Sequence, residues 1–95
     1  MFGEGDIQTA HAYREIANIY KTLGRSQGVL EYSEKAVEII ENLYGEKHSD
    51  LINLYHDLAM VSQSLQNYQQ AIEYDLKALD IQKSIFAKNI KALFL

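Results

Sequence analysis

The chain repeats itself at an interval of 42 residues. Shifting the sequence by that amount lays Gly3 on Gly45, Glu4 on Glu46, Tyr13 on Tyr55, Ala17 on Ala59, Leu23 on Leu65 and Glu31 on Glu73. It also matches Tyr32 with Tyr74, Lys35 with Lys77, Ala36 with Ala78, and Ile39 with Ile81. Further pairs are conservative, such as Ile16 with Leu58, Ile19 with Val61 and Tyr44 with Phe86. The coincident residues are mostly small or apolar and recur at helical spacing. A stacked unit that hides the same face against each neighbour requires this pattern.

Within each copy the apolar positions fall three and four residues apart, so they share helix faces. A first helix begins at Ile7 with Asp6 as its cap, buries Ala10, Tyr13, Ile16, Ala17, Tyr20 and Leu23, and stops at Gly24. A second helix is expected over about 27–43, capped by Ser26, with Val29, Tyr32, Ala36, Ile39, Ile40 and Leu43 inward. Glu31 and Lys35 form a favourable four-residue pair on its outer side. Gly28, in the first turn, costs about 1 kcal/mol of helix stability relative to alanine. A third helix starts at Ser49 or Asp50, either of which can cap it, and buries Leu51, Leu54, Tyr55, Leu58, Ala59, Ser62 and Leu65. Gln66 and Asn67 make the turn. A fourth helix from Tyr68 carries Ala71, Ile72, Leu76, Ala78, Leu79, Ile81, Ile85 and Phe86. Residues 87–95 read either as its continuation or as a link and the start of a third unit, since neither Gly nor Pro breaks them. The fold class is therefore all-α: a solenoid of two stacked antiparallel hairpins, four helices plus a C-terminal extension. Repeat 1 covers about 7–44 and repeat 2 about 49–86 of a single domain spanning 1–95.

These residues resemble the tetratricopeptide repeat. Tyr55, Leu58 and Ala59 look like the signature of that family's first helix. Tyr68, Ala71, Ile72, Glu73, Tyr74, Lys77, Ala78 and Leu79 look like its second. The first copy matches through Tyr13, Ile16, Ala17, Tyr20, Leu23, Gly24, Tyr32, Lys35 and Ala36. The 42-residue period and the link Gly45-Glu46-Lys47-His48-Ser49-Asp50 are similar to the kinesin-light-chain subtype. Val29, Ser33 and Ser49 depart from the pattern, standing where it has Ala, an aromatic residue and Pro. The resemblance implies that Ala17 and Ala59 let the two helices of each pair approach, and that Ala36 and Ala78 let the next unit stack.

It also implies a function: a protein-interaction module, its hairpins stacked right-handed, with the first helix of each pair lining a concave groove. The groove side chains are then His11, Arg14, Glu15, Asn18 and Lys21 in the first copy. The second copy contributes Asn53, His56, Asp57, Met60, Gln63 and Ser64. Arg14 with Asn18 is similar to half of a clamp for a peptide's terminal carboxylate, but Asp57 stands where that clamp has an amide, and its charge repels a carboxylate. The expected partner is a protein or peptide. The alternative is self-assembly: a fragment of a longer array whose exposed end helices, above all the tail from Lys83, pack on another copy to form a homo-oligomer.

Composition and motifs narrow the remaining classes. The net charge of −4 disfavours nucleic acid, which needs a basic face. The basic residues are uneven, with Lys83, Lys88 and Lys91 following the last acid, Asp80. No apolar run approaches the roughly 18 residues of a membrane span, and the acidic start is unlike a signal peptide, so a cytoplasmic protein is expected. With no cysteine and no His spacing suited to a metal, neither metal nor cofactor is expected. Glycines form no phosphate loop and serines no nucleophile elbow, so no enzyme is expected. Tyr13, Tyr20, Tyr32, Tyr55 and Tyr74 sit at core spacing, which favours packing over base stacking.

Overall fold

A computed structural model describes residues 5–94. The four helices are α1 (Ile7–Thr22), α2 (Ser26–Tyr44), α3 (Asp50–Ser64) and α4 (Tyr68–Phe94). Each packs only on its neighbours in sequence: α1 on α2, α2 on α3, α3 on α4. The result is two antiparallel hairpins laid side by side, with all-α architecture among the described residues. Met1 to Glu4, read above as a lead-in in the link register, lie outside those residues.

The helix ends show why the chain divides where it does. The Asp6 carboxylate accepts a hydrogen bond from the Gln8 amide at 2.8 Å, capping α1 as expected. Both hairpin turns close with the same paired bonds. Arg25 N–H reaches the Tyr20 carbonyl at 2.9 Å and Gly24 N–H reaches Lys21; forty-two residues on, Asn67 N–H reaches Ser62 at 2.8 Å and Gln66 N–H reaches Gln63. This satisfies carbonyls that a helix end otherwise leaves free. It needs a left-handed residue, supplied by Gly24 (φ +70°) in the first turn and by Gln66 (φ +66°) in the second. A non-glycine residue there is disfavoured by about 1–2 kcal/mol.

Two expected caps are corrected. Ser26 lies inside α2; the capping residue is Arg25, extended and without a side-chain bond. Neither Ser49 nor Asp50 caps α3 with its side chain. Ser49 is already helical in backbone conformation, and the acceptor is the His48 ring, whose Nδ1 takes the Asp50 N–H at 3.2 Å. The imidazole is held by stacking on Tyr44, 4.6 Å between centroids. Lys47 in the same link pairs with Asp80 of α4, so the connection between hairpins is tied to the second one.

The core draws on all four helices. Ala10, Ala36, Ile39, Ile40, Leu51, Leu54, Tyr55, Leu58, Ala78 and Ile81 form one buried cluster. Ala17, Ala36, Ala59 and Ala78 are all buried, as close helix approach demands. Around this core the same trio of side chains appears twice. Tyr32 packs against Tyr13 at 5.8 Å and Tyr74 against Tyr55 at 6.0 Å. Lys35 lies over Tyr13 and Tyr32, and Lys77 over Tyr55, within cation–π range. The tyrosines are thus packing residues.

Periodicity overstated burial on the outer helices. Leu23, Leu43, Ile72, Leu76, Leu79 and Phe86 are exposed, whereas Val61 and Ser33, absent from the expected stripes, are buried. The reason for α1 and α4 is positional: each has a neighbour on one side only, so part of its apolar face stays uncovered; Leu43 lies in the last turn of α2. Gly28 also has a role beyond weakening α2. A Cβ there would overlap the Tyr20 ring, which stacks on Tyr32 with planes 12° apart. Finally, α4 does not break at 87–91 but runs through to Phe94.

Candidate functional site

α1 and α3 are separated by α2 in the packing order and do not themselves pack together. Between them opens a cleft of about 270 Å³. Arg14, Asn18 and Lys21 enter it from α1, and Asn53, His56 and Asp57 from α3. They reach one another because helical spacing of three and four keeps them on one side of each helix. The floor is Ala17 and Leu54 with Ser33 of α2. Six of the eleven expected groove residues therefore come together in a single place.

Two ion pairs cross the cleft. Lys21 Nζ lies 3.3 Å from Asp57 Oδ1, and Arg14 lies 4.0 Å from Asp50 Oδ2. Both pairs link residues 36 apart in sequence, so they sit two helical turns from each other like rungs. Each is partly exposed and contributes at most about 1 kcal/mol, so an incoming charged group can displace it at small cost. His56 borders both this cleft and the hollow toward α4, where its Nδ1 lies 3.5 Å from Asp75 Oδ1. The Ser33 hydroxyl is buried and without a hydrogen-bond partner. A buried hydroxyl in that state costs about 1–3 kcal/mol, which gives the floor of the cleft an unmet polar demand.

The carboxylate clamp is not assembled. Arg14 already faces Asp50, and Asp57 holds Lys21, so the cleft presents neutralised pairs of both signs rather than a bare cationic seat. The other expected residues are placed elsewhere. Met60 and Gln63 border two adjoining depressions. One, about 490 Å³, runs from Lys21 and Asp57 to Arg25 and Val29 and includes Ser64. The other, about 370 Å³, runs from His56 to Asp75 and Leu79 of α4. His11 and Glu15 are exposed on α1 and line none of these three hollows, because Glu15 lies about 100° around the helix from Arg14.

Sequence reading passed over Ser33 and Asp50 as site residues. A signal for Ser33 existed: a small residue where the repeat pattern has an aromatic ring leaves space between α1 and α3. Asp50 gave no such signal, since its meeting with Arg14 depends on the stacking register.

Two tyrosines tie the hairpins together beside the site. Tyr74 donates to Glu34 of α2 at 3.1 Å, and Tyr55 donates to Glu41. Burial, then the Glu34 charge, pushes the Tyr74 hydroxyl up to about 12. Tyr55 is raised by burial and by Glu41 as well. Both stay protonated donors at neutral pH.

Among the described residues no group of three or more His, Asp or Glu side chains could hold a metal ion, and no helix is long and apolar enough to cross a membrane. No curated protein matches the chain. The family model for the tetratricopeptide repeat matches residues 8–84, both hairpins and the cleft included. The chain belongs to the tetratricopeptide repeat family, whose repeats generally serve as non-catalytic protein–protein interaction modules.

Proposed function

We propose that this protein is a non-enzymatic binding module whose α1–α3 cleft receives a peptide or helix of a protein partner. The observation that carries this reading is the cleft: polar and charged residues of two helices converge over a floor with an unpartnered hydroxyl. A mixed-charge lining of this kind suits a polar peptide whose own groups replace the internal Lys21–Asp57 and Arg14–Asp50 pairs. The 42-residue period, with the long second helix and the Gly45 to Asp50 link, supports the kinesin-light-chain-like subtype. In that reading 7–44 and 49–86 are the two repeats of one domain.

The test is capture of partners from lysate on the immobilised chain, followed by affinity measurement with the partner so identified. Replacing Arg14 and Asn18 together by alanine is expected to weaken binding while leaving helicity unchanged. Equal affinity in the double variant discards the cleft as the binding surface.

A further inference from the structure

The link before α3 sets one carboxylate oxygen between two basic side chains. Asp50 Oδ2 lies 4.0 Å from Arg14 Nη1 of the cleft and 3.8 Å from His48 Nδ1 of the link. The same Nδ1 accepts the Asp50 N–H at 3.2 Å. A ring nitrogen that accepts a hydrogen bond carries no proton, so His48 caps α3 as the neutral imidazole, with its proton on Nε2. In that state, among the described residues, Arg14 is the one cation paired with Asp50.

Protonation of the ring reverses these relations. Nδ1 becomes a donor and no longer takes the Asp50 N–H. The acceptor within its reach is Asp50 Oδ2, the atom that already faces Arg14. One negative charge then serves two cations, and its hold on each weakens. The Arg14 pair is partly exposed and weak to begin with. Arg14, Asp50 and the ring together pass from neutral to net positive, on a wall of the α1–α3 cleft that Arg14 lines.

The surroundings leave His48 free to act in this way. Its side chain is 32% exposed, so water can deliver the proton. Tyr44 of α2 stacks on its face, a contact open to the ring in either charge state. On α1, His11 and Glu15 are the titratable residues nearest Arg14 in sequence, and both are exposed. Glu46 and Lys47 of the link line a separate hollow with Glu41, Lys77 and Asp80, where Lys47 is paired with Asp80 of α4. The other histidine of the cleft, His56, faces Asp75, a carboxylate that Arg14 does not share. We infer that His48 is a proton-operated release for Arg14: protonation draws Asp50 to the imidazolium and opens the cleft to an anionic group of a bound peptide. The consequence for binding rests on the cleft reading above; the release itself does not.

NMR of the labelled chain between about pH 7.5 and about pH 5.5, the range in which histidines change charge, tests the release. The Asp50 amide and Arg14 side-chain signals are expected to move with the same midpoint as the His48 ring. In His48→Asn, whose side-chain oxygen can still take the N–H two residues on, both should stop titrating. Asp50→Asn should hold Arg14 in its released form at both ends of the range. Acetylated tetraglutamate serves as the binding probe. It should bind the native chain about threefold to fivefold more tightly at the lower pH, the scale of one partly exposed ion pair; His48→Asn should lose that ratio and His56→Gln keep it. Arg14 and Asp50 signals that stay fixed while His48 titrates, or that titrate unchanged in His48→Asn, would overturn the inference, as would an equal affinity ratio in the native chain and His48→Asn. Co-titration with no probe-induced shift at Arg14, Asn18 or Asn53 at either pH would support the release and discard the cleft reading alone.

Discussion

Ile19 and Val61 hold the same place in their hairpins, yet Ile19 is 61% exposed and Val61 only 7%. The contrast extends along both helices. α1 buries Ala10 and Ala17 alone, while α3 buries Leu51, Leu54, Tyr55, Leu58, Ala59, Val61 and Ser62. The sequences of the two helices do not account for this; their neighbours do. α3 lies between α2 and α4, whereas α1 has α2 alone. In a stack, the same residue stabilises in proportion to the layers that cover it.

The turns and contacts inside the hairpins differ in a compensating way. The first hairpin places Tyr20 over Gly28, and the second places Ser62 and Gln70 at those positions, a large side chain and a missing one exchanged for two of ordinary size. The exchange keeps the helix separation workable in both. It leaves the Ser62 hydroxyl buried without a partner.

The sharpest way to break the contrast is a matched pair of truncations. Leu58→Ala is expected to cost about 2–5 kcal/mol, and Ile16→Ala at the equivalent, partly covered site no more than about 1 kcal/mol. Urea denaturation reads both, and equal losses would mean that α1 is as enclosed as α3. Next in size is Gly28→Ala. Helix propensity alone favours alanine by about 1 kcal/mol, but the added methyl meets Tyr20, and overpacking costs about 1–3 kcal/mol. A net loss is expected on urea unfolding, whereas Gln70→Ala in the second hairpin should change little. A smaller effect of opposite sign belongs to the second turn: Gln66→Gly removes left-handed strain and is expected to stabilise by up to about 1 kcal/mol, read as a rise in the unfolding midpoint.

The tyrosine bridges set a pH limit on how the hairpins hold together. The unfolded chain releases the Tyr74 proton near its ordinary value of 10.0, while the folded chain holds it to about 12. The unfolded state therefore binds fewer protons in that interval, and the contribution is complete below pH 10 and is lost as pH rises toward 12. Thermal unfolding of Tyr74→Phe alongside the native chain should show a shallower decline over this window in the variant.

The periodicity of the sequence made the four helices, their order and the buried alanines legible, because each is a local or duplicated pattern. The extent of α4 was open, since residues 87–95 contain nothing that forces or forbids a helix. Exposure of Leu76, Leu79 and Phe86 was not legible, because periodicity locates an apolar face without saying whether another helix arrives to cover it. Capping of α3 by His48 escaped for a different reason: Ser49 and Asp50 are the residue types that ordinarily cap, and the ring displaced them by stacking on Tyr44. Within the site, the residues flanking the repeat signature were readable on α1 and α3, while their pairing across the cleft depended on how one hairpin slides on the next.

Amide hydrogen exchange of the native chain tests the sequential stack most directly. Protection is expected to be greatest in α2 and α3, the inner helices, and least in α1 and in α4 beyond Phe86. Slowest exchange in α1, or uniform protection across all four helices, would contradict a molecule held together layer by layer.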